Sequence, residues 1–258
     1  MIKIGCAAYS YRAYLQDGRM TYEDFIKEMY QIGLDGVELT LYWLPSKDKS
    51  YFRELKRVAL FHGMPISGAG ISTNFCNPSA EERNKEIEKV KEGLEIAHEL
   101  GAPCLRVFGG RVPQGYTEEE AMKWVIESLQ SCVKYAEENG VVIALENHGN
   151  VPSRADSVVK IMESVDSPWV RVNLDLGNYR RESFYEEIAK TVPYAVHTHA
   201  KVSVKLGKRR VEIDYNRIKE ILKSGGYNGF LSIEYEEKED PKVGVPKFAK
   251  KLFSIFSP

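Results

Sequence analysis

The stretch Val141–Gly149, with the sequence VVIALENHG, decides the fold. It begins with a run of apolar residues and ends abruptly in a carboxylate, an amide and an imidazole. A short apolar run of this kind is typical of a buried β-strand. The polar residues at its end then mark a position where a side chain is needed for more than packing.

The same alternation of a short apolar run and a longer charged, amphipathic segment recurs eight times along the chain. We predict strands near residues 2–8, 36–41, 65–71, 104–108, 141–146, 170–174, 195–199 and 230–234. We predict helices near residues 21–32, 51–62, 80–100, 117–138, 154–164, 183–191, 215–223 and 246–256.

The helix predictions depend on the spacing of apolar residues and on the residues at the helix ends. In the segment 80–100, apolar residues recur every three or four positions, at Ile87, Val90, Leu94, Ala97 and Leu100. Ser79 and Thr117 are predicted N-caps, because their hydroxyls can accept a hydrogen bond from the first turn. Glycines stand where a C-cap favours positive φ, at Gly101, Gly140 and Gly225.

Strands that alternate with helices imply parallel strands joined by right-handed crossovers, and eight such units close naturally into a barrel. We therefore predict an α/β protein with a single (β/α)8 TIM-barrel domain over residues 1–258. A doubly wound open sheet is the alternative. The turn after its first strand would carry a Gly-rich phosphate-binding pattern, whereas this chain reads AAYSYRAYLQDG there.

Composition excludes or disfavours several classes of protein. The 36 Lys and Arg residues nearly balance the 37 Asp and Glu residues, so the charge gives no support for nucleic acid as a partner. No apolar run approaches the roughly 18 residues of a membrane span. The cysteines lie far apart without a CxxC pattern and are expected to be buried, reduced thiols. We expect a cytoplasmic protein that does not bind membranes.

Metal-ligand residue types stand at the ends of four consecutive predicted strands, namely Glu146, Asp175, His199 and Glu234. Any one of them alone is more often a helix cap, a loop residue or a buried core histidine. In a barrel, however, all four would face the same end, where active sites lie. Three carboxylates and an imidazole suit one divalent ion, Mn²⁺, Mg²⁺, Co²⁺ or Zn²⁺. His197 faces the same way as His199, one layer deeper.

The motifs LENHG, NLDLGN, HTHAK and SIEYE, together with IGLDGVEL, resemble the xylose isomerase-like TIM-barrel superfamily of sugar and sugar phosphate isomerases and epimerases. The resemblance covers nearly the whole chain. It implies that Glu146, Asp175, His199 and Glu234 bind one divalent metal, and that the two glutamates act as acid and base.

Further site residues follow from the resemblance and from residue placement. The resemblance implies that Lys201 faces the substrate and that His148 and Arg106 make polar substrate contacts. Asn178 is also a candidate substrate contact. It stands where the epimerase branch usually carries His, which argues against a ketose 3-epimerase. Glu38, a charge in an apolar strand, is predicted to point into the barrel mouth as a polar substrate contact, or to pair with a neighbouring Arg or Lys. We expect Asn147 and His148 to shape the rim of the pocket.

The implied activity is a metal-dependent isomerisation or epimerisation of a sugar, in which a proton beside a carbonyl is removed through a metal-stabilised enediolate. The alternatives are a dehydratase of a cyclic keto-polyol, of the inosose or dehydroshikimate type, and a sugar-binding barrel without catalysis. The substrate is a small-molecule sugar or keto-polyol, and a homo-oligomer remains open. No Arg or Lys cluster beside a Gly-rich turn marks a phosphate site, which favours an unphosphorylated sugar.

The related three-zinc apurinic endonucleases need more histidines than this chain has. It contains only five, at positions 62, 98, 148, 197 and 199. The sequence therefore argues against a DNA repair nuclease.

Overall fold

A closed barrel of eight parallel strands forms the centre of the protein, as seen in a computed structural model that describes residues 1–149 and 151–257. The barrel strands follow the order β1-β10-β7-β6-β5-β4-β3-β2. Their bounds are β1 Lys3–Ala7, β2 Gly36–Thr40, β3 Ile66–Gly70, β4 Cys104–Phe108, β5 Val142–Glu146, β6 Val170–Asp175, β7 Ala195–Ala200 and β10 Phe230–Ile233. The predicted TIM barrel is confirmed, and with it every predicted barrel strand.

Eight helices follow the eight barrel strands and form the outer layer. They are α2 Tyr22–Ile32, α3 Lys49–Phe61, α4 Ala80–Leu100, α5 Glu118–Asn139, α6 Ala155–Val165, α7 Phe184–Thr191, α8 Tyr215–Ser224 and α9 Pro241–Phe256. A short helix, α1 Arg12–Gln16, precedes them, and single 3-10 turns lie at Ala8–Tyr11, Leu41–Trp43 and Val192–Tyr194.

The helix ends show the capping chemistry that the sequence predicts. The Ser79 hydroxyl accepts a hydrogen bond from Glu82 N, and Thr117 forms a capping box with Glu120. Gly101 and Gly140 take positive φ at the ends of α4 and α5. The apolar stripe predicted for α4 is buried throughout. At this length, burial of one face against the barrel supplies most of a helix's stability.

Three local predictions differ from the structure. Gly225 has φ −81°, and the left-handed position after α8 belongs to Gly226 at φ 73°. Helix α9 begins at Pro241, five residues earlier than predicted, because Asp240 caps it and Pro241 fits the first turn. The sequence also missed a hairpin between β7 and α8, formed by β8 Ser203–Leu206 and β9 Arg209–Glu212.

All four cysteines are free and buried. Among the described residues, the helices are too short or too polar to cross a membrane. The carboxyl-terminal ends of the barrel strands open towards two cavities of about 350 and about 340 Å³, which border the polar residues described next.

Candidate metal centre

The residues predicted as metal ligands meet at the carboxyl-terminal end of the barrel. One oxygen of Glu146, one oxygen of Asp175 and one ring nitrogen of His199 lie within 4.8 Å of one another. Glu234 directly follows β10, and its Oε2 lies 3.4 Å from His199 Nδ1. The side chains meet because β5, β6, β7 and β10 are neighbours around the barrel.

The two ring nitrogens of His199 face different groups. Nδ1 lies 3.4 Å from Glu234 Oε2, 3.7 Å from Glu146 Oε2 and 3.9 Å from Asp175 Oδ2. Nε2 lies 2.7 Å from Glu38 Oε2. Burial lowers the pKa of His199, but the charges of Glu38 and Glu234 outweigh burial and hold that pKa well above its usual value. Nδ1 is therefore the nitrogen that faces the cluster, and Nε2 is the nitrogen that Glu38 orients.

Glu38 lies in β2, on the opposite side of the barrel, and is buried. Its Oε2 also lies 3.8 Å from His197 Nδ1. Burial raises the pKa of Glu38, but His199 and His197 outweigh this effect and lower the pKa to about 2. The predicted position inside the barrel mouth is therefore seen, with histidines as the partners of the carboxylate. The structure provides a direct contact to His199 in place of the predicted neighbouring Arg or Lys.

Asp175 is positioned by hydrogen bonds to one of its carboxylate oxygens and to its backbone. Its Oδ1 accepts a hydrogen bond from Gly177 N at 2.7 Å. Its backbone N–H donates to Asn147 Oδ1 at 2.7 Å, and its carbonyl accepts from Asn147 Nδ2 at 3.0 Å. Within the described part of the chain, the buried Oδ2 accepts no hydrogen bond. Lys201 Nζ lies 3.4 Å from Oδ2 and offsets part of its charge. Because no hydrogen bond occupies Oδ2, this oxygen is able to bind a cation.

Asn147 is fully buried beneath this carboxylate. The prediction that it shapes the pocket rim is therefore wrong. Both ends of its amide bond the Asp175 backbone, which satisfies the N–H and the carbonyl of Asp175 at the end of β6.

Glu146 is surrounded by amide and guanidinium groups. Asn178 Nδ2 donates to its Oε1 at 3.1 Å, and Asn173 Nδ2 donates to its Oε2 at 3.3 Å. Arg106 Nε lies 3.4 Å from Oε2. Burial raises the pKa of Glu146 to about 8, against the opposing charges of His199 and Arg106. Asn178 and Arg106 were predicted as substrate contacts, but both touch this carboxylate directly.

Glu234 has the opposite electrostatic environment. Lys201 Nζ lies 2.5 Å from its Oε2, 2.5 Å from Glu236 Oε2 and 3.4 Å from Asp175 Oδ2. Burial raises the pKa of Glu234, but Lys201 and His199 outweigh it and hold the pKa well below the usual range. The structure thus brings the predicted Lys201 into the cluster itself. Glu236, its third carboxylate partner, was missed by the sequence reading.

A polar layer lies one level deeper in the barrel and was only partly predicted. His197 Nδ1 lies 2.9 Å from Asn173 Oδ1, and its Nε2 lies 3.2 Å from the hydroxyls of Ser67 and Ser232. Burial lowers the pKa of His197 to about 4, so its ring is neutral. Asn173, two residues before Asp175, faces inward with it, and this period-two spacing was the available signal.

The walls of the mouth come from several loops. His148 is half-buried, packs against Phe108 with ring centroids 4.7 Å apart, and lines the second cavity together with Asn178. Lys201 and Asn178 also line the first cavity. After β1 and β2, Tyr9 and Trp43 stack at 5.6 Å. His148 thus lies at the pocket rim, as predicted, and outside the cluster of carboxylates.

A second group could also hold a metal ion. Glu38, His197 and His199 each offer a ligand atom within 4.8 Å of the others. His197 already contacts Asn173, Ser67 and Ser232, however, so its nitrogens are satisfied without a cation. The group of Glu146, Asp175 and His199 contains Asp175 Oδ2, which accepts no hydrogen bond among the described residues, and so this group could hold a metal ion more readily.

Named proteins of similar sequence catalyse several reactions. The chain is 25% identical over 263 residues to an inosose dehydratase of Clostridium beijerinckii, covering 88% of this chain and 85% of the relative. It is 19% identical over 197 residues to a hydroxypyruvate isomerase of Escherichia coli, covering 71% of this chain and 75% of the relative.

Solved structures share the fold at low sequence identity. A D-psicose 3-epimerase with D-tagatose from Clostridium cellulolyticum superimposes with a TM-score of 0.82 at 19% identity, covering 100% of both chains. A xylose isomerase-like protein from Mycobacterium smegmatis in complex with magnesium gives a TM-score of 0.75 at 18% identity, covering 99% of this chain and 96% of that one.

The family model described as xylose isomerase-like TIM barrel matches residues 26–252, which include all the ligand positions described above. This span covers most of the chain and agrees with the barrel topology and with the resemblance of the strand-end motifs. The protein therefore belongs to the xylose isomerase-like TIM-barrel family.

Proposed function

We propose that this protein is a divalent-metal-dependent sugar isomerase or epimerase that removes a proton beside a carbonyl group. The observation that carries this proposal is the convergence of Glu146, Asp175 and Glu234 on His199 Nδ1, within 3.4 to 3.9 Å of that nitrogen in a buried site. Carboxylates crowded in a buried site repel one another unless a cation neutralises part of their charge.

The donor set fits a single divalent ion. Glu146, Asp175, His199 and Glu234 would hold it, and Glu38 would orient His199 through Nε2. Oxygen and imidazole ligands together suit Mn²⁺, Mg²⁺, Co²⁺ or Zn²⁺. The magnesium complex of a protein with the same fold is consistent with this assignment. Such an ion supplies stabilisation of negative charge on substrate oxygens.

The two glutamates have environments that suit opposite roles in proton transfer. Glu234 is kept ionised by Lys201 and His199, so it can accept the proton from carbon. In the metal-free protein burial raises the pKa of Glu146, so this carboxyl holds a proton more readily than Glu234 does and is the better candidate to return the proton. Pairs of carboxyl groups with pKa values driven apart are typical of acid and base partners. The strands that carry them are three apart around the barrel, which suits the two faces of a sugar.

Asn178 helps to distinguish isomerisation from ketose 3-epimerisation. Its amide donates to Glu146 Oε1 and fixes the orientation of that carboxyl group. An amide cannot exchange a proton near neutral pH as an imidazole can, so Asn178 positions Glu146 without relaying protons. This supports isomerisation, or epimerisation at another carbon, over ketose 3-epimerisation.

A dehydratase of a cyclic keto-polyol is the second candidate, and Lys201 favours it. Its ammonium lies between Glu234 and Glu236, where it could protonate a departing hydroxide. Dehydration begins with the same proton removal, so the two candidates share every residue assigned above. Similarity to an inosose dehydratase supports this alternative equally with the isomerases.

Exchange of carbon-bound hydrogen tests the proposal directly. The protein loaded with Mn²⁺ or Mg²⁺ is incubated in heavy water with ketoses and with an inosose, and deuterium incorporation is followed by NMR. We expect deuterium beside the carbonyl of at least one compound, with no incorporation after metal removal by EDTA. Loss of water from the inosose would identify the dehydratase. Exchange with none of the compounds would favour a sugar-binding barrel without catalysis.

A further inference from the structure

Three arginines converge on the second cavity beside the metal centre. Arg111 follows β4, whereas the consecutive Arg180 and Arg181 follow β6, so the fold brings Arg111 to a pair that is distant from it in sequence. This arginine cavity, lined by Arg111, Arg180 and Arg181, has a volume of about 340 Å³. That size suits a small-molecule ligand.

Few carboxylates offset the positive charge of the arginine cavity. Of the residues that the structure describes, none with a carboxylate lines the cavity, and neither Arg111 nor Arg180 forms an ion pair. Arg181 has an acidic neighbour, with its NH1 3.8 Å from Glu187 Oε1. The first cavity, which Arg180 also lines, differs because Glu236 and Glu237 there pair with Lys201 and Arg210. Uncompensated arginines around a concave site favour an anion.

The arginine cavity is coupled to the metal centre by position. Asn178 lines the cavity and donates to Glu146 Oε1. His148 lines it as well and lies two residues after Glu146. A ligand of several carbons could therefore reach from the carboxylate cluster into the cavity. Guanidinium groups bind phosphate and carboxylate oxygens in a bidentate manner, which a neutral sugar hydroxyl cannot match.

We propose that the substrate carries an anionic group, a phosphate ester or a carboxylate, which binds in the arginine cavity while its carbonyl end lies at the metal centre. This inference rests on the proposed function for the position of the carbonyl end. It departs from the expectation of an unphosphorylated sugar, which considered only residues that are neighbours along the chain.

Three ketoses that differ only at C6 test the proposal: D-fructose with a hydroxyl, D-fructose 6-phosphate with a phosphate ester, and D-fructuronate with a carboxylate. Their affinities for the Mg²⁺-loaded protein are measured by calorimetry at low and high salt. We expect at least one anionic ketose to bind about tenfold or more tightly than D-fructose at low salt. The tighter of the two anions identifies the group. The preference should shrink as salt is added.

Two double variants provide the matched comparison. Arg111→Ala with Arg180→Ala should abolish the preference for the anion, whereas Arg53→Ala with Arg57→Ala removes the same charge from exposed positions of α3 and should leave it intact. Equal affinities for the three ketoses, no binding of any of them, or a preference that survives in the first variant would overturn the proposal. An anion preference without hydrogen exchange would instead contradict the proposed function alone.

Discussion

The two halves of the barrel mouth differ in what their strands present. Strands β5 and β6 end in Glu146 and Asp175, His199 is the last residue but one of β7, and Glu234 directly follows β10; these four side chains converge on one point. Strands β1 to β4 end in Ala7, Thr40, Gly70 and Phe108, none of which can ionise. Glu38 and Arg106 reach from that half towards the cluster, where Glu38 contacts His199 and Arg106 contacts Glu146.

The two halves of the barrel therefore have different proposed roles. The second half contains every group that we assign to metal binding and proton transfer. The first half orients those groups and supplies aromatic surface, where Tyr9 stacks on Trp43. Substitutions in the second half should therefore abolish function, and substitutions in the first half should weaken it by graded amounts.

The largest effect is expected from the two glutamates of the second half. Glu234→Gln or Glu146→Gln removes a proton-transfer group while nearly preserving shape. Turnover should fall by about 10²–10⁴-fold in each variant. Steady-state kinetics measures the loss, and circular dichroism checks that the barrel is intact. Near wild-type turnover in both variants would refute the assigned roles.

Glu38→Gln in the first half should act through the metal. The amide can no longer accept the His199 Nε2–H bond with a full negative charge, so His199 becomes a poorer ligand. We expect the affinity for Mn²⁺ to fall by about 10–100-fold, as measured by metal titration. Ser67→Ala is the matched control, since it removes a hydroxyl contact to His197 and leaves His199 untouched. Equal affinities in wild type and Glu38→Gln would exclude the orienting role.

The pH dependence of stability distinguishes Glu146 from Glu38 in the metal-free protein. Because burial raises the pKa of Glu146 from 4.5 to about 8, its contribution is fully present below pH 4.5 and is lost as pH rises through about 8. Glu38 has a lowered pKa of about 2, so its contribution is present above pH 4.5 and lost in acid.

Urea unfolding in the presence of EDTA measures this difference. The free energy of unfolding should fall between about pH 5 and about pH 8 in the wild type and much less in Glu146→Gln. An identical fall in both proteins would show that Glu146 is not the group that titrates.

The smallest effect is expected from the aromatic wall. Trp43→Ala removes the ring that stacks on Tyr9, at the end of the first half. If the wall only contacts substrate, KM should rise about 2–10-fold while kcat stays constant. A large fall in kcat would show that the first half takes part in catalysis, which would contradict the division of roles between the halves.

Most of the barrel could be predicted because each strand and helix has its own period and its own end signals. The hairpin β8–β9 was missed because its two strands of four residues lie inside the connection between β7 and α8, outside the alternation of barrel strands and helices. The start of α9 was missed because Pro246 resembles a first-turn proline, although Pro241 takes that position.

The site was predictable where a residue ends a strand, as for Glu146, Asp175, His199 and Glu234. It was not predictable where partners come from distant segments. Nothing near Glu38 in the sequence indicates His199, which lies 161 positions away. The same holds for Arg111 and Arg180, which only the closure of the barrel brings to one cavity.

Metal content tests the central claim most directly. The purified protein and an Asp175→Ala variant prepared identically are soaked with Mn²⁺, desalted and analysed by plasma mass spectrometry. We predict about one divalent ion per chain in the wild type, as expected for a single four-ligand site, and almost none in the variant. No metal in either protein, or equal metal in both, would contradict the assignment of the strand-end cluster as a metal centre.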